Sequence, residues 1–346
     1  MPLDLSPLPL AAIAAVFVAS ALAIGYAGTK LAGIADQLAD RTGMGEIMAG
    51  ALFVGASTSL PGAITSMVTA AQGYPGLAIG NALGGLTAQT TFLAVADLAY
   101  RRANLEHAAA SVTGLSQGTL LVSLLTVPLL AAHAPPFTIL GVHPASVVLL
   151  VSYGLGLRML ARIKDEPMWS QVQTQETRAE IDPEEEAGAE RESTARLWRR
   201  FGIHGGVTAL AGYMIGEASV ALVDQTGLSE TAIGTTFAAI SNSLPELVTA
   251  IAAVRRGAVN LAVGDIIGGN SFEVLFLAAA DIFYREGSIY HAFTTANVFT
   301  AVVAILMTGV LLLGMLRRER YGVAGIGFES AIVLVLYAGS LVLVFS

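Results

Sequence analysis

Two acidic residues fall inside long apolar stretches of this chain, Glu246 and Glu273, and Asp265 lies about two turns before the second of them. A charge at bilayer depth costs several kcal/mol, so such residues usually face a cavity and mark an ion or proton path. Left bare, a buried carboxylate tends to hold a proton, and a bound cation would displace it. Two short motifs accompany these acids, Ser57-Thr58-Ser59-Leu60-Pro61 and Ser241-Asn242-Ser243-Leu244-Pro245. Each proline lacks an N–H and crowds the carbonyl four residues earlier, which frees the carbonyls of Ser57 and Ser241. Lined up with the hydroxyls of Ser57, Thr58, Ser59, Ser241 and Ser243, they form a set of hard oxygen ligands suited to Na⁺ or Ca²⁺. Taken alone, the same residues also fit a packing kink whose Ser and Thr bond back to their own helix.

Other chemistries find no support. The chain has no cysteine, which excludes a disulfide framework, a thiol nucleophile and a Cys-ligated metal. His107, His133, His143, His204 and His291 fall at the ends of apolar spans, and no HExxH occurs, so a zinc site is not expected. No GxSxG, P-loop or GxGxxG fingerprint sits in a strand–helix context.

The elements that must position these residues are membrane helices. Of 346 residues, 54% are hydrophobic and 13% charged, with a mean hydropathy of +0.68. Soluble domains carry about 25% charged residues, so this composition excludes a water-soluble globular protein, a disordered chain and a nucleic-acid binder. Spans of roughly 20 apolar residues are expected near 7–28, 45–70, 76–99, 107–132, 137–160, 200–222, 229–254, 260–283, 292–316 and 322–345. The first lacks a basic flank and is too long for a cleaved signal. With both termini outside, 17 of the 18 basic residues fall on the inner side and only Arg285 outside, as the positive-inside rule asks. Residues 163–196 hold ten acids and four bases and form an acidic cytoplasmic loop, best read as a solvated linker.

The chain also repeats itself. Residues 36–101 align without a gap on 220–285, and about 25 of the 66 pairs are identical. Besides the Ser-Leu-Pro motifs, Gly80-Asn81-Ala82-Leu83-Gly84-Gly85 matches Gly264-Asp265-Ile266-Ile267-Gly268-Gly269, and Phe92 through Asp97 matches Phe276 through Asp281. Five helices in each half mean that the second half enters from the opposite side, the inverted-repeat plan of many secondary transporters. The expected architecture is therefore an all-α polytopic membrane protein of ten transmembrane helices. It divides into a first five-helix repeat (1–162), the acidic loop (163–196) and a second five-helix repeat (197–346).

These duplicated motifs resemble the alpha repeats of the calcium/cation antiporter superfamily, which includes sodium/calcium exchangers. The resemblance spans both halves. It is most specific in Asn242-Ser243-Leu244-Pro245-Glu246 and in Gly264-Asp265-Ile266-Ile267-Gly268-Gly269-Asn270, with Glu273 three residues on. It implies exchange of Na⁺, H⁺ or K⁺ against Ca²⁺ or other cations by alternating access. It also implies a central site built from both Pro-broken helices and the helices after them, with the first and sixth helices sliding as a gating pair. The first copy departs from the pattern. Gly62 stands where the signature glutamate would, Gly84-Gly85-Leu86 replaces Gly-Ser-Asn, and Gln89 is the later polar ligand; Gly269 replaces a serine in the second copy. Carried over by position, Glu246 and Glu273 are the charged ligands and Gln89 a neutral one. Ser59, Ser243, Ser57, Ser241, Asn81 and Asp265 complete the candidate set.

The remaining acids are given local roles. Asp97 and Asp281 precede Arg101 and Arg285 by four residues, the spacing of an ion pair on one helix face. Glu217 lies near the outer end of its span. Glu46, Glu230 and Glu329 lie at span starts, where a helix N-terminus favours an acid. The expected function is a secondary cation antiporter, exchanging Ca²⁺ for Na⁺ or H⁺. Na⁺/H⁺ exchange on the same fold and a transport-inactive regulatory protein are the alternatives. No catalytic constellation, resident cofactor or nucleic-acid partner is expected; the partners are inorganic cations and the lipid bilayer. A bacterial inner membrane is the expected location.

Overall fold

The computed structural model describes residues 3–42, 53–100, 104–165, 193–317, 322 and 326–345. Among the described residues there is no strand, only a single antiparallel bridge between Ile139 and Val142. The first half contains α1 (Leu10–Thr42), α2 (Gly55–Thr58), α3 (Leu60–Ala71), α4 (Pro75–Ala99), α5 (Leu105–Ala108), α6 (Val112–Ala132) and α7 (Pro144–Asp165). The second contains α8 (Thr194–Thr226), α9 (Glu230–Ile233), a π-helical turn (Gly234–Ala238), α10 (Ala239–Asn242), α11 (Leu244–Arg256), α12 (Val259–Glu273), α13 (Leu275–Phe283), α14 (Thr295–Arg317) and α15 (Phe328–Val344). Among the described residues six helices are long and apolar enough to cross a membrane: α1, α6, α7, α8, α12 with α13, and α14. The bent segment from Glu230 to Arg256 adds a seventh.

The sequence repeat is a structural one. Helix α8 begins and ends 184 residues after α1, α10 does so after α2, and α12 with α13 spans the counterpart of α4. Helix α15 likewise starts 184 residues after α7. Both α1 and α8 are longer than hydropathy suggested, at 33 residues each. At about 1.5 Å per residue they exceed a hydrocarbon core of about 30 Å. Their polar residues, such as Lys30 and Asp36, do not stop a helix that simply runs on beyond the lipid.

The prolines do more than kink. At Ser59 and Ser243 the helix ends and a new one begins, and the second pair bends by 46°. Pro61 and Pro245 lie in the first turn of the new helices, where the missing N–H has no intrahelical partner to lose. The repeat is broken in one respect. Helix α4 is continuous, whereas its counterpart is interrupted at Val274, directly after Glu273.

The long helices α1 and α8 pack along each other, and each presses a glycine onto the other half's proline. The Cα of Gly28 sits against the Pro245 ring. A Cβ at Gly212 would stand 2.5 Å from the Pro61 carbonyl oxygen, so only glycine allows this approach.

Asp97 and Asp281 are fully buried, and their oxygens serve loops and helix starts; the expected partner of Asp97, Arg101, lies outside the described residues. Asp97 accepts from Leu105 N at 2.7 Å, Ser330 Oγ at 2.9 Å and Gly327 N at 3.2 Å. Asp281 accepts from His143 N at 2.7 Å, Ser146 Oγ at 2.8 Å and Ile289 N at 3.0 Å. The two sets are related by the same 184-residue shift. A carboxylate that answers buried N–H and O–H groups this fully gains more than a solvated ion pair would give. Glu230 is an N-terminal charge as expected, but it serves another helix: its Oε2 accepts from Gly76 N at 2.8 Å at the start of α4. Glu329 lies in the first turn of α15 and is buried. Glu217 is buried and accepts from Gln72 Nε2 at 3.0 Å. Glu46, Arg101 and residues 166–192 of the acidic loop lie outside the described residues.

Candidate functional site

Glu246 occupies the first turn of α11 because the chain restarts a helix at Leu244. The partial positive charge of that helix end favours a carboxylate there. Only 7% of Glu246 is exposed, and neither carboxylate oxygen has a hydrogen-bond partner. Thr58 stands beside it but turns its hydroxyl back to Gly55 O at 3.0 Å. Glu273 closes α12 and is 4% exposed. Its Oε1 accepts from Gln89 Nε2 at 2.5 Å, and its Oε2 lies against the Cα of Gly85 with no donor. Gln89 also donates to Ser243 Oγ at 3.2 Å, which leaves its own Oε1 unpartnered and facing Gly269. The glycines at 85 and 269 therefore have a shared use. They admit the polar ends of Glu273 and Gln89 to the space between the halves.

The structure thus brings Glu246, Glu273, Gln89 and Ser243 together. Glu246 lies within electrostatic reach of both Glu273 and Asp265. Ser59 Oγ is buried without a partner. Ser57 Oγ donates to Phe53 O at 2.6 Å, which is the back-bonding alternative, while its lone pairs remain. Ser241 is buried at the matching position. Asp265 differs from the other acids: it is exposed, and Asp36 of α1, also exposed, lies near it. Together these acids form a line from an exposed surface to the buried pair.

Asn81, the counterpart of Asp265, lies on the other side of the site and is fully engaged. Its Nδ2 donates to Gly62 O at 2.9 Å and Ser66 Oγ at 2.8 Å, and its Oδ1 accepts from Asn242 Nδ2 at 2.8 Å. Asn242 also donates to Thr65 Oγ1 at 3.1 Å, and Thr65 donates to Gly212 O at 2.8 Å. This neutral network ties α3, α4, α8 and α10 together. Asn242, Thr65 and Ser66 were not singled out in the sequence; the 184-residue match of Asn242 with Thr58 was the available signal.

Buried oxygens without donors are costly unless something positive completes them. Here they converge from two helix breaks and two glycine-bordered helices. Among the described residues no group of three or more His, Asp or Glu is placed to hold a metal ion. A cation here would therefore rest on two carboxylates and neutral oxygens, a hard-ligand set.

The chain is similar to known proteins. Residues 12–160 and 201–346 match the family described as sodium/calcium exchanger protein. A relative from Alkalimonas amylolytica, CaxA, named as an antiporter candidate, is 27% identical over 324 residues, covering 90% of this chain and 92% of its own. The sodium/calcium exchanger MaX1 of Methanosarcina acetivorans is 31% identical over 134 residues, 37% of this chain and 35% of its own. Among solved structures, the H⁺/Ca²⁺ exchanger CAX superposes with a TM-score of 0.69 at 14% identity, over 95% of this chain and 82% of that one. The sodium-calcium exchanger NCX_Mj gives 0.59 at 20% identity, over 96% and 99%. At these identities the structural likeness speaks for the fold.

Proposed function

The chain belongs to the sodium/calcium exchanger family and is an integral membrane protein of the calcium/cation antiporter superfamily, and on that premise we propose that it exchanges Ca²⁺ for Na⁺ or H⁺ at the buried Glu246–Glu273 site. One observation carries this reading: three of the four carboxylate oxygens of that pair are buried without a hydrogen-bond donor. Two carboxylates neutralise one Ca²⁺, or two protons in its place. The carbonyl ends of α2 and α10 point at the breaks beside it, as half-helix ends do at cation sites of other transporters.

The topology follows the same reading. Ten segments cross the membrane as two inverted five-helix repeats, 1–162 and 197–346. Both termini lie outside, and the acidic loop faces the cytoplasm. The difference between the matched positions Asp265 and Asn81 supports alternating access. Asp265 is exposed on the side proposed as cytoplasmic, while Asn81 is buried on the other. A bacterial inner membrane is the proposed location, and the transported cations are cargo, with no resident cofactor.

Na⁺/H⁺ exchange is the second reading, favoured by Gly62, which brings no charge where the signature acid would stand. The test is ⁴⁵Ca²⁺ uptake into proteoliposomes under an imposed Na⁺ gradient and then an imposed H⁺ gradient. Uptake under either gradient, abolished by Glu246→Gln in protein that still elutes as folded, supports the first reading and names the counter-ion. Absence of Ca²⁺ movement under both gradients overturns it. Na⁺-driven H⁺ flux would then support the second reading, and no flux at all a transport-inactive protein.

A further inference from the structure

We propose that Phe276 is a specificity-determining residue of this site, an aromatic plug that confines it to a single cation and sets the size of ion it accepts. The inference rests on the transport reading above and adds what limits the cargo. A Cβ built on Gly62 would stand 2.8 Å from Phe276 Cε2 and 3.5 Å from its Cζ. The ring edge therefore occupies the space into which a side chain at position 62 would grow. Gly62 is the counterpart of Glu246, so the plug fills the half of the site opposite the glutamate.

Three further observations make this a property of the site rather than a local packing detail. First, the ring is held. Phe276 is buried, and Phe272 meets it edge-on at 6.1 Å and 88°, itself flanked by Tyr153 at 6.0 Å. Second, the backbone beside the plug is already engaged, since Asn81 covers the Gly62 carbonyl and accepts from Asn242 Nδ2. A ring edge carries partial positive charge and offers a hard cation nothing. Third, three carboxylate oxygens at the site lack donors, and they belong to Glu246 and Glu273. One half is thus filled by the ring, and the other supplies the carboxylates. That arrangement accommodates one ion on two carboxylates, and the fixed ring sets how large that ion can be.

The test uses the full chain in detergent or proteoliposomes and measures equilibrium ⁴⁵Ca²⁺ binding with Na⁺, Sr²⁺ and Ba²⁺ as competitors. The unmodified protein is expected to bind one Ca²⁺ per chain, to show Na⁺ competition with a Hill coefficient of about 1, and to discriminate against Ba²⁺. Phe276→Leu should narrow the Ca²⁺/Ba²⁺ discrimination by about fivefold or more, since cavity size and rigidity tune cation choice. The double variant Gly62→Glu/Phe276→Leu should raise the Na⁺ Hill coefficient clearly above that of the unmodified protein. An altered ion order is a readout that simple destabilisation does not produce. Where the double variant fails to fold, Phe276→Leu alone decides. A Hill coefficient of two or more in the unmodified protein would overturn the proposal, as would an unchanged ion preference in Phe276→Leu. If binding is lost in Glu246→Gln yet indifferent to Phe276, this inference fails and the transport reading stands. If no variant and no unmodified protein binds Ca²⁺ or Na⁺, both fall.

Discussion

Gln89 Nε2 donates to Glu273 Oε1 at 2.5 Å, and the two residues, 184 apart, occupy the same position in the two repeats. The bond therefore joins equivalent positions of the two repeats. One repeat supplies the acid and the other the amide that orients it. A single substitution between otherwise matched positions converts a repulsive pair of glutamates into a hydrogen-bonded one. Oε1 is thereby fixed, and Oε2 stays buried without a donor.

Breaking this bond separates orientation from charge. Gln89→Leu should retain folding and some transport while weakening apparent Ca²⁺ affinity by about 10–100-fold, the usual cost of removing a partner that orients a metal ligand. Glu273→Gln should abolish uptake. Initial rates of ⁴⁵Ca²⁺ uptake over a range of Ca²⁺ distinguish the two, because the first shifts the half-saturating concentration and the second removes the signal.

The glycine–proline contacts between the long helices and the broken ones should tolerate no side chain. Gly212→Val drives a Cβ into the Pro61 backbone, which cannot step aside, and Gly28→Val meets the Pro245 ring. Each should cost about 1–3 kcal/mol by overpacking, Gly212→Val more than Gly28→Val. Gly33→Val is the control, because nothing lies within 4 Å of a Cβ there. Thermal unfolding in detergent ranks the three, and a control that destabilises as much as Gly212→Val would refute the argument.

The paired carboxylate clamps should matter to stability rather than to ion choice. Asp281→Ala strands the N–H groups of His143 and Ile289, and Asp97→Ala strands those of Gly327 and Leu105. Each should lower stability by more than about 2 kcal/mol, since buried donors lose an ionised acceptor. Ca²⁺ affinity per folded molecule should not change. A selective loss of Ca²⁺ affinity with normal unfolding behaviour would place these acids in the transport path instead.

Tyr74, in the turn between α3 and α4, donates to Asp224 Oδ1 at 2.9 Å. Burial first, and then the bond to Asp224 and its charge, push its phenol from 10.0 up to about 12. A raised folded value means that the neutral phenol is favoured by folding. Its contribution is fully present below pH 10 and is lost as pH rises through about 12. The stability gap between the unmodified protein and Tyr74→Phe should therefore be constant to about pH 10 and close above it. A gap that closes at neutral pH would contradict this.

The sequence by itself determined a good deal, because periodicity and duplication survive without coordinates. Composition specified membrane helices, and the duplicated motifs with the family resemblance they carry put forward Glu246, Glu273, Gln89 and Ser243 as candidate ligands. That resemblance also flagged Gly62 as the odd position. Helix ends were less legible: α1 and α8 outrun their apolar windows because a helix continues past the lipid as long as its backbone bonds can form.

Only the tertiary structure decided what surrounds each of those residues. Local spacing put Asp97 and Asp281 beside arginines, yet their acceptors reach donors up to 233 residues away. Nothing along the chain links Phe276 to Gly62 or Gly28 to Pro245, since these contacts arise when one repeat folds against the other. Asn81 and Asp265 hold the same place in sequence and opposite roles in space, one in a closed network and the other exposed. Repeats fix which positions correspond. Packing of the two halves in one conformation fixes which of each pair is covered, and a covered amide and an exposed carboxylate do different chemistry.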